Sequence, residues 1–207
     1  MATLILIQHC QSEHHINDMS GGWTDTPLTG LGKKQAEMIG KRLGKQSFIN
    51  DSILFTSDLL RASQTAKIIG EHLKLPSISN SGLREINTGI AAGKTKKWSN
   101  ENRNPKFGNK FDLDYREFQD GETWREFYKR VCQCMDSLSK ENPKKQLIIV
   151  THGGTLGYIL AWWLNFKPEM IVSAYFSSSV GGISTLSQND FGQHVINTFN
   201  DTSHFNL

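Results

Sequence analysis

Two histidines set the chemical question. His9 follows the apolar run Leu4-Ile5-Leu6-Ile7 and Gln8, and His152 follows Leu147-Ile148-Ile149-Val150 and Thr151. Gly153-Gly154 comes directly after the second histidine and opens an apolar helical pattern, whose unpaired N–H groups and dipole favour an anion. Arg61, in the first turn of another helical pattern, supplies a forked donor suited to phosphate oxygens. A histidine among such groups can act as a nucleophile and split one hard displacement into two easier ones. Glu85, at the start of an irregular stretch, is the candidate acid for a leaving oxygen. Each residue also has a plainer reading: a polar strand end for His9, a helix-surface arginine for Arg61, and for Glu85 an exposed carboxylate or a salt bridge to Arg84, which pattern alone favours. Two buried strands that each deliver a histidine to one sheet edge are a poor match to chance, and they point to a site.

The competing use of two histidines is a metal site. No His-x-x-x-His pair and no tight carboxylate cluster accompanies them. His14 and His15 are adjacent, and in an extended loop their side chains would diverge. Cys132-Gln133-Cys134 lies in a helical pattern without a second ligand pair and reads as packing. Metal is the weaker case, and no cofactor is called for.

The elements that must position these residues follow from periodicity. Residues 4–10 and 146–152 carry no polar alternation, the mark of central parallel strands covered on both faces, and in such sheets the ligand crevice lies past the carboxyl ends of the strands. Thr29 is the expected N-cap of a helix with Ala36, Ile39 and Leu43 on one face. Residues 53–57 form a short buried strand. Asp58 is placed to cap the next helix, with Ala62, Ala66, Ile69 and Leu73 on one side. Residues 122–141 form an amphipathic helix through Trp124, Phe127, Val131, Met135 and Leu138, and residues 156–164 a helix apolar nearly all round, hence buried. Two strands, 182–187 and 194–199, close the chain. Strand and helix alternate without repeats or linkers, which argues for one α/β domain over residues 1–207. Its least regular part, residues 87–121, holds six basic residues between 94 and 110 against Glu101. That stretch reads as a solvated loop or short helix, or as a basic cover over an anionic substrate. Gly93-Lys94-Thr95 is no nucleotide loop, because the required earlier glycine is Thr88.

Bulk properties narrow the classes. The chain has 207 residues, 37% hydrophobic and 21% charged, with a formal charge of +3. That charge suits an anionic small molecule and is too weak and dispersed for nucleic acid. Three cysteines build no disulfide framework, the start Met-Ala-Thr has no basic leader, and no apolar run nears the ~20 residues that span a bilayer. The expectation is a cytoplasmic protein with neither membrane nor nucleic-acid partner.

At this point four separated motifs resemble those of the histidine phosphatases, the phosphoglycerate-mutase-like superfamily. Gln8-His9-Cys10 stands where that family has Arg-His-Gly. Residues 22–29 match Gly-Trp-x-Asp-x-Pro-Leu-Thr, residues 57–66 match Ser-x-x-x-Arg-Ala-x-Gln-Thr-Ala, and Thr151-His152-Gly153-Gly154 matches the second histidine motif. Leu83-Arg84-Glu85 looks like the segment with the proton donor. The resemblance implies a doubly wound, mostly parallel α/β fold with helices on both faces, and metal-independent chemistry on a small phosphorylated metabolite. His9 would become phosphohistidine, Arg61 and His152 would stabilise the equatorial oxygens, and Glu85 would protonate the leaving group and then activate water. Gln8, Ser12, Asn17, Trp23 and Gly153 would bind substrate.

Two departures stand out. Gln8 brings no positive charge; the lost charge-assisted bond, ~1.5–3 kcal/mol, corresponds to roughly 10–150-fold in rate. His14 or His15, if protonated, would replace it. Cys10 would set a thiol beside the nucleophile, narrowing the pocket or making it oxidation-sensitive. The favoured activity is phosphomonoester hydrolysis, because the connection from Glu85 to the 122–141 helix is shorter than the mutase branch usually has. Phosphoglycerate mutation and low-activity binding of phospho-ligands, the latter motivated by Gln8, are the alternatives. Substrate identity, which would be set by residues 87–121, and oligomeric state are not encoded legibly.

Overall fold

The computed structural model describes residues 3–46, 51–106 and 108–206. Met1 and Ala2, on which the expectation of no leader partly rests, lie outside them. The elements are β1 (Leu4–Gln8), α1 (Gly30–Leu43), β2 (Ser52–Thr56), α2 (Leu60–Leu73), β3 (Ser77–Ser79), α3 (Lys96–Glu101), α4 (Trp124–Glu141), β4 (Gln146–Thr151), α5 (Gly153–Trp163), β5 (Ile183–Gln188) and β6 (His194–Asp201), with short 3₁₀ turns between them. The strands form one six-stranded sheet in the order β3-β2-β4-β1-β5-β6. The first four are parallel, while β5 runs antiparallel to β1 and β6 antiparallel to β5. This is the mixed α/β sheet with helices on both faces that the resemblance implied.

The absence of alternation in β1 has a direct cause. Leu4 and Leu6 pack with Phe127, Val131 and Met135 of α4 and Ile159, Leu160 and Trp163 of α5. Ile5 and Ile7 face the other way, onto Ala36 and Ile39 of α1 and Ala62, Ala66 and Ile69 of α2. Every residue of β1 and β4 is buried. Each completely buried Leu or Ile contributes ~1.5–3 kcal/mol, so both faces of these two strands are pinned, and their register with them.

Thr29 caps α1 as expected, its side chain accepting from the Gly32 N–H, and Thr123 with Glu126 forms a capping box that starts α4. Asp58 is a correction: it does not cap α2. The first N–H of that helix, Leu60, donates to Asp25 at 2.7 Å, while the Asp58 carboxylate takes both arms of Arg84 at 2.7 and 2.6 Å. The cap thus comes from the loop before α1, and the loop is tied to the helix that carries Arg61. Cys134 sits in the core against α5, and no helix among the described residues is long and apolar enough to cross a membrane.

Candidate active site

Register brings the two histidines together. β1 and β4 are neighbours, with Gln8 opposite Thr151, and the His9 N–H extends the ladder to Thr151 O at 2.8 Å. The next residues on the two strands are therefore His9 and His152, whose ring centroids are 5.0 Å apart.

Arg61 joins them from α2. Its Nε donates to His9 Nε2 at 3.1 Å, and its two terminal nitrogens donate to the carbonyls of Thr24 and Gly22, both at 2.7 Å. The loop that caps α2 through Asp25 thus also clamps the guanidinium. Gly22 permits this turn: its φ is +58°, and a Cβ there would lie 2.4 Å from Thr88. His9, Arg61 and His152 are all at most 3% exposed.

The hydrogen bonds fix the His9 tautomer. His9 Nδ1 lies 2.8 Å from the Cys10 carbonyl, so Nδ1 carries the proton and Nε2 presents its lone pair to Arg61. Burial, with the Arg61 charge adding to it, holds the His9 pKa well below the ordinary imidazole range, so the ring is neutral at pH 7. His152 is held low for the same reasons. Its Nε2 meets Ser57 Oγ at 2.8 Å, and its Nδ1 is buried with no hydrogen-bond partner among the described residues. Burial also lowers the Arg61 pKa to about 10, which leaves the guanidinium charged at neutral pH.

Glu85 reaches the same rim. Its carboxylate accepts the N–H groups of Ile86 and Gly154, both at 2.9 Å, and a Cβ on Gly154 would lie 2.4 Å from Glu85 Oε1, so this approach requires glycine. Burial raises the Glu85 pKa against those two N–H groups, Arg61 and Arg130, as a proton donor needs. The salt bridge to Arg84 does not form, because Arg84 is bound to Asp58. Arg130 braces the segment by donating to the carbonyls of Gly82, Arg84 and Glu85, each at 3.0 Å.

The residues matched to substrate binding divide. Gly153 starts α5 at the rim, and Trp23 donates to Glu85 O at 2.7 Å beneath the Arg84 guanidinium, bracing the acid's backbone. The buried Ser12 hydroxyl is engaged by His14 Nδ1 at 2.8 Å. Asn17 is exposed, its side-chain oxygen accepting from the Met19 N–H at 3.3 Å. Gln8 turns its amide to the segment after α5, with the nitrogen donating to Ser178 Oγ at 2.6 Å and Ser178 O at 3.1 Å in the orientation that satisfies both partners.

Two expectations are corrected. The Cys10 thiol is not beside the nucleophile: it is buried in the core facing α1 and α2, and burial pushes its pKa up to about 12. His14 and His15 do not diverge. They sit in a 3₁₀ turn (Glu13–His15) with centroids 4.0 Å apart, and their rings lie 6.0 and 5.5 Å from His9. Burial and the nearby cations lower both pKa values, His14 to about 3, so neither brings a charge at neutral pH. Ser57 and Arg130 are functional candidates that residue patterns missed, although Ser57 opens the arginine motif.

In residues 87–121 the cations are mostly engaged nearby. Lys96 pairs with Asp18 at 3.6 Å and Arg103 with Glu117 at 2.9 Å, while Lys94 and Lys106 lie over the rings of Trp98 and Tyr115. Lys96 also bears electrostatically on His14 and His15.

The chain is similar to known proteins. The chain is 28% identical to a broad-specificity phosphatase of Saccharomyces cerevisiae, over 97% of this chain and 86% of that protein. It is 27% identical to a protein of Yersinia enterocolitica named "Probable phosphoglycerate mutase", over 82% of this chain and 78% of that one. The fold superposes on the alpha-ribazole phosphatase of Shigella flexneri with a TM-score of 0.78 at 23% identity, covering 96% of both chains. The family model of the histidine phosphatase superfamily (branch 1) matches residues 4–202, and the chain belongs to that superfamily.

Proposed function

We propose that this phosphatase hydrolyses small phosphomonoesters through a phosphohistidine on His9 Nε2, with residues 1–207 forming a single domain and residues 87–121 covering the site. The observation that carries the reading is a pair of facing nitrogens: the lone pair on His9 Nε2 and the buried His152 Nδ1, which has no partner among the described residues, beside the Arg61 guanidinium. A buried polar nitrogen without a partner costs about 1–3 kcal/mol, and with the proton on Nδ1 a phosphoryl oxygen between the rings would remove that cost.

In the first step His9 Nε2 bonds to phosphorus as the ester oxygen departs with the Glu85 proton. Arg61 transfers its Nε–H from His9 to a phosphoryl oxygen, and His152 Nδ1 and the α5 N-terminus hold the other oxygens. In the second step the Glu85 carboxylate takes a proton from water, whose oxygen displaces His9 from phosphorus. Phosphate leaves and Glu85 is again protonated. Charge is handled by the guanidinium, imidazoles and backbone N–H groups, so the reaction is metal-independent and EDTA leaves the rate unchanged. The test is to acid-quench the enzyme with a ³²P-labelled phosphoester. Acid-labile, base-stable label on wild type and none on His9→Ala supports the reading, and equal activity of the two proteins ends it.

A further inference from the structure

Next to the catalytic rim, a cavity adjoins Glu85 through Gly154. It has a volume of about 340 Å³, and Gly154, whose N–H binds the Glu85 carboxylate, is part of its wall. Its main surfaces are Phe111, Trp124, Tyr158, Tyr175 and Phe176, and no Lys, Arg, Asp or Glu lines it among the described residues. The apolar surface outweighs the polar there by a wide margin.

Two further observations mark the cavity as a place for a ligand. Its mouth exposes Tyr175, Val172 and Phe111, side chains that folding alone would bury. The segment after α5 also joins the two pockets: Tyr175 and Phe176 line the cavity, and Ser178 bonds Gln8 next to His9. A ligand anchored at His9 and protonated by Glu85 would place its departing alcohol against this wall.

Resting on the hydrolase reading above, we propose that this cavity is the leaving-group subsite and that the substrate is the phosphomonoester of an apolar, ring-bearing alcohol. The volume falls in the range of small-molecule sites, which are lined mainly by apolar and aromatic side chains with few polar groups. A carboxylate or second phosphate on the alcohol would be desolvated there without a cationic partner.

The test compares three alcohols of similar basicity: ethyl, 3-phenylpropyl and 3-carboxypropyl. Their phosphonates, which are not hydrolysed, are titrated calorimetrically, and the matching phosphates are assayed for kcat/KM. The expected result is 3-phenylpropylphosphonate binding at least tenfold tighter than ethylphosphonate, with the carboxypropyl compound no tighter than ethyl; each fully buried methylene is worth about fourfold. Val172→Asp and, as a second and independent change at the exposed rim, Tyr175→Ala should each narrow the phenylpropyl-to-ethyl ratio at least threefold. A ratio within twofold on the wild type, or tighter binding of the carboxypropyl compound, overturns the proposal. Absence of turnover with all three phosphates would sink the hydrolase reading, while the phosphonate ratio still decides the cavity.

Discussion

The carboxyl ends of β1 and β4 are built alike and wired differently. Each delivers a buried, neutral imidazole from a strand buried at every position to the same rim. His9 has both nitrogens engaged, Nδ1 by the Cys10 carbonyl and Nε2 by Arg61. His152 has one engaged by Ser57 and the other unpartnered. The first arrangement aims a lone pair and the second leaves a nitrogen free, which with its proton on Nδ1 aims an N–H; on the proposed mechanism one histidine attacks phosphorus and the other holds an oxygen. Which role each takes is set by neighbouring hydrogen bonds and not by the strand that carries it.

The sharpest way to break the comparison is to remove each imidazole in turn. His9→Ala should lower kcat by roughly 10⁴-fold or more and abolish the phosphoenzyme. His152→Ala should cost roughly 10²–10³-fold, as loss of an oxyanion donor does, and still form phosphohistidine. Rapid-quench labelling separates the two, and equal losses with equal label would show the roles to be undivided.

Glu85 sharpens the same contrast from the leaving-group side. Glu85→Gln should cost roughly 10²–10⁴-fold with alkyl phosphates and less in the first turnover with p-nitrophenyl phosphate, whose leaving group needs no proton. The pH profile follows from the signs. His9 is deprotonated down to a pH well below 6.5, and Glu85 stays protonated to a pH above 4.5. kcat/KM should therefore peak on the acidic side and fall as pH rises through the Glu85 pKa. In Glu85→Gln that alkaline limb should vanish; a limb that persists assigns the proton elsewhere.

Much of the fold and half of the site were legible in the chain. β1 and β4 were, because strands buried on both faces carry unbroken apolar runs, residues 4–7 and 147–150, and the histidines were because polarity returns abruptly at the ends of those runs. Thr29 was legible because its cap bond spans three residues. Asp58 misled because the competing cap, Asp25, lies 35 residues from Leu60. β3 carried no signal because all three of its residues are exposed on a sheet edge. Cys10 misled because the strand ends at Gln8: past that point alternation no longer tells which way a side chain points, and the chain turns the thiol into the α1–α2 core. The partners of Ser57 and Gln8 lie 95 and 170 residues away, beyond the reach of any local pattern.

Gln8 makes a smaller test at the His9 end. Gln8→Arg should raise kcat/KM about tenfold, the low end of what a charge-assisted bond supplies, because the guanidinium must first displace the amide from Ser178. No gain would mean that Arg61 alone supplies the charge the phosphoryl group needs.

The smallest expected effect bears most closely on how the two strand ends differ. Ser57 does not reach the substrate in the proposed mechanism, which requires its hydroxyl to donate to His152 Nε2 and so keep the proton on Nδ1. Ser57→Ala should cost about fivefold in kcat, the worth of one neutral hydrogen bond, and leave substrate KM close to that of the wild type. The His9 end has no dependence on Ser57, so the phosphoenzyme should still form and its hydrolysis should slow in proportion. Ser57→Thr, which keeps the hydroxyl, should restore the rate, and ¹⁵N shifts of His152 should report the Nδ1–H tautomer in the wild type and a mixture in the alanine variant. A fivefold loss without any tautomer change would mean that Ser57 acts through packing, and the division of labour between the two imidazoles would need another cause.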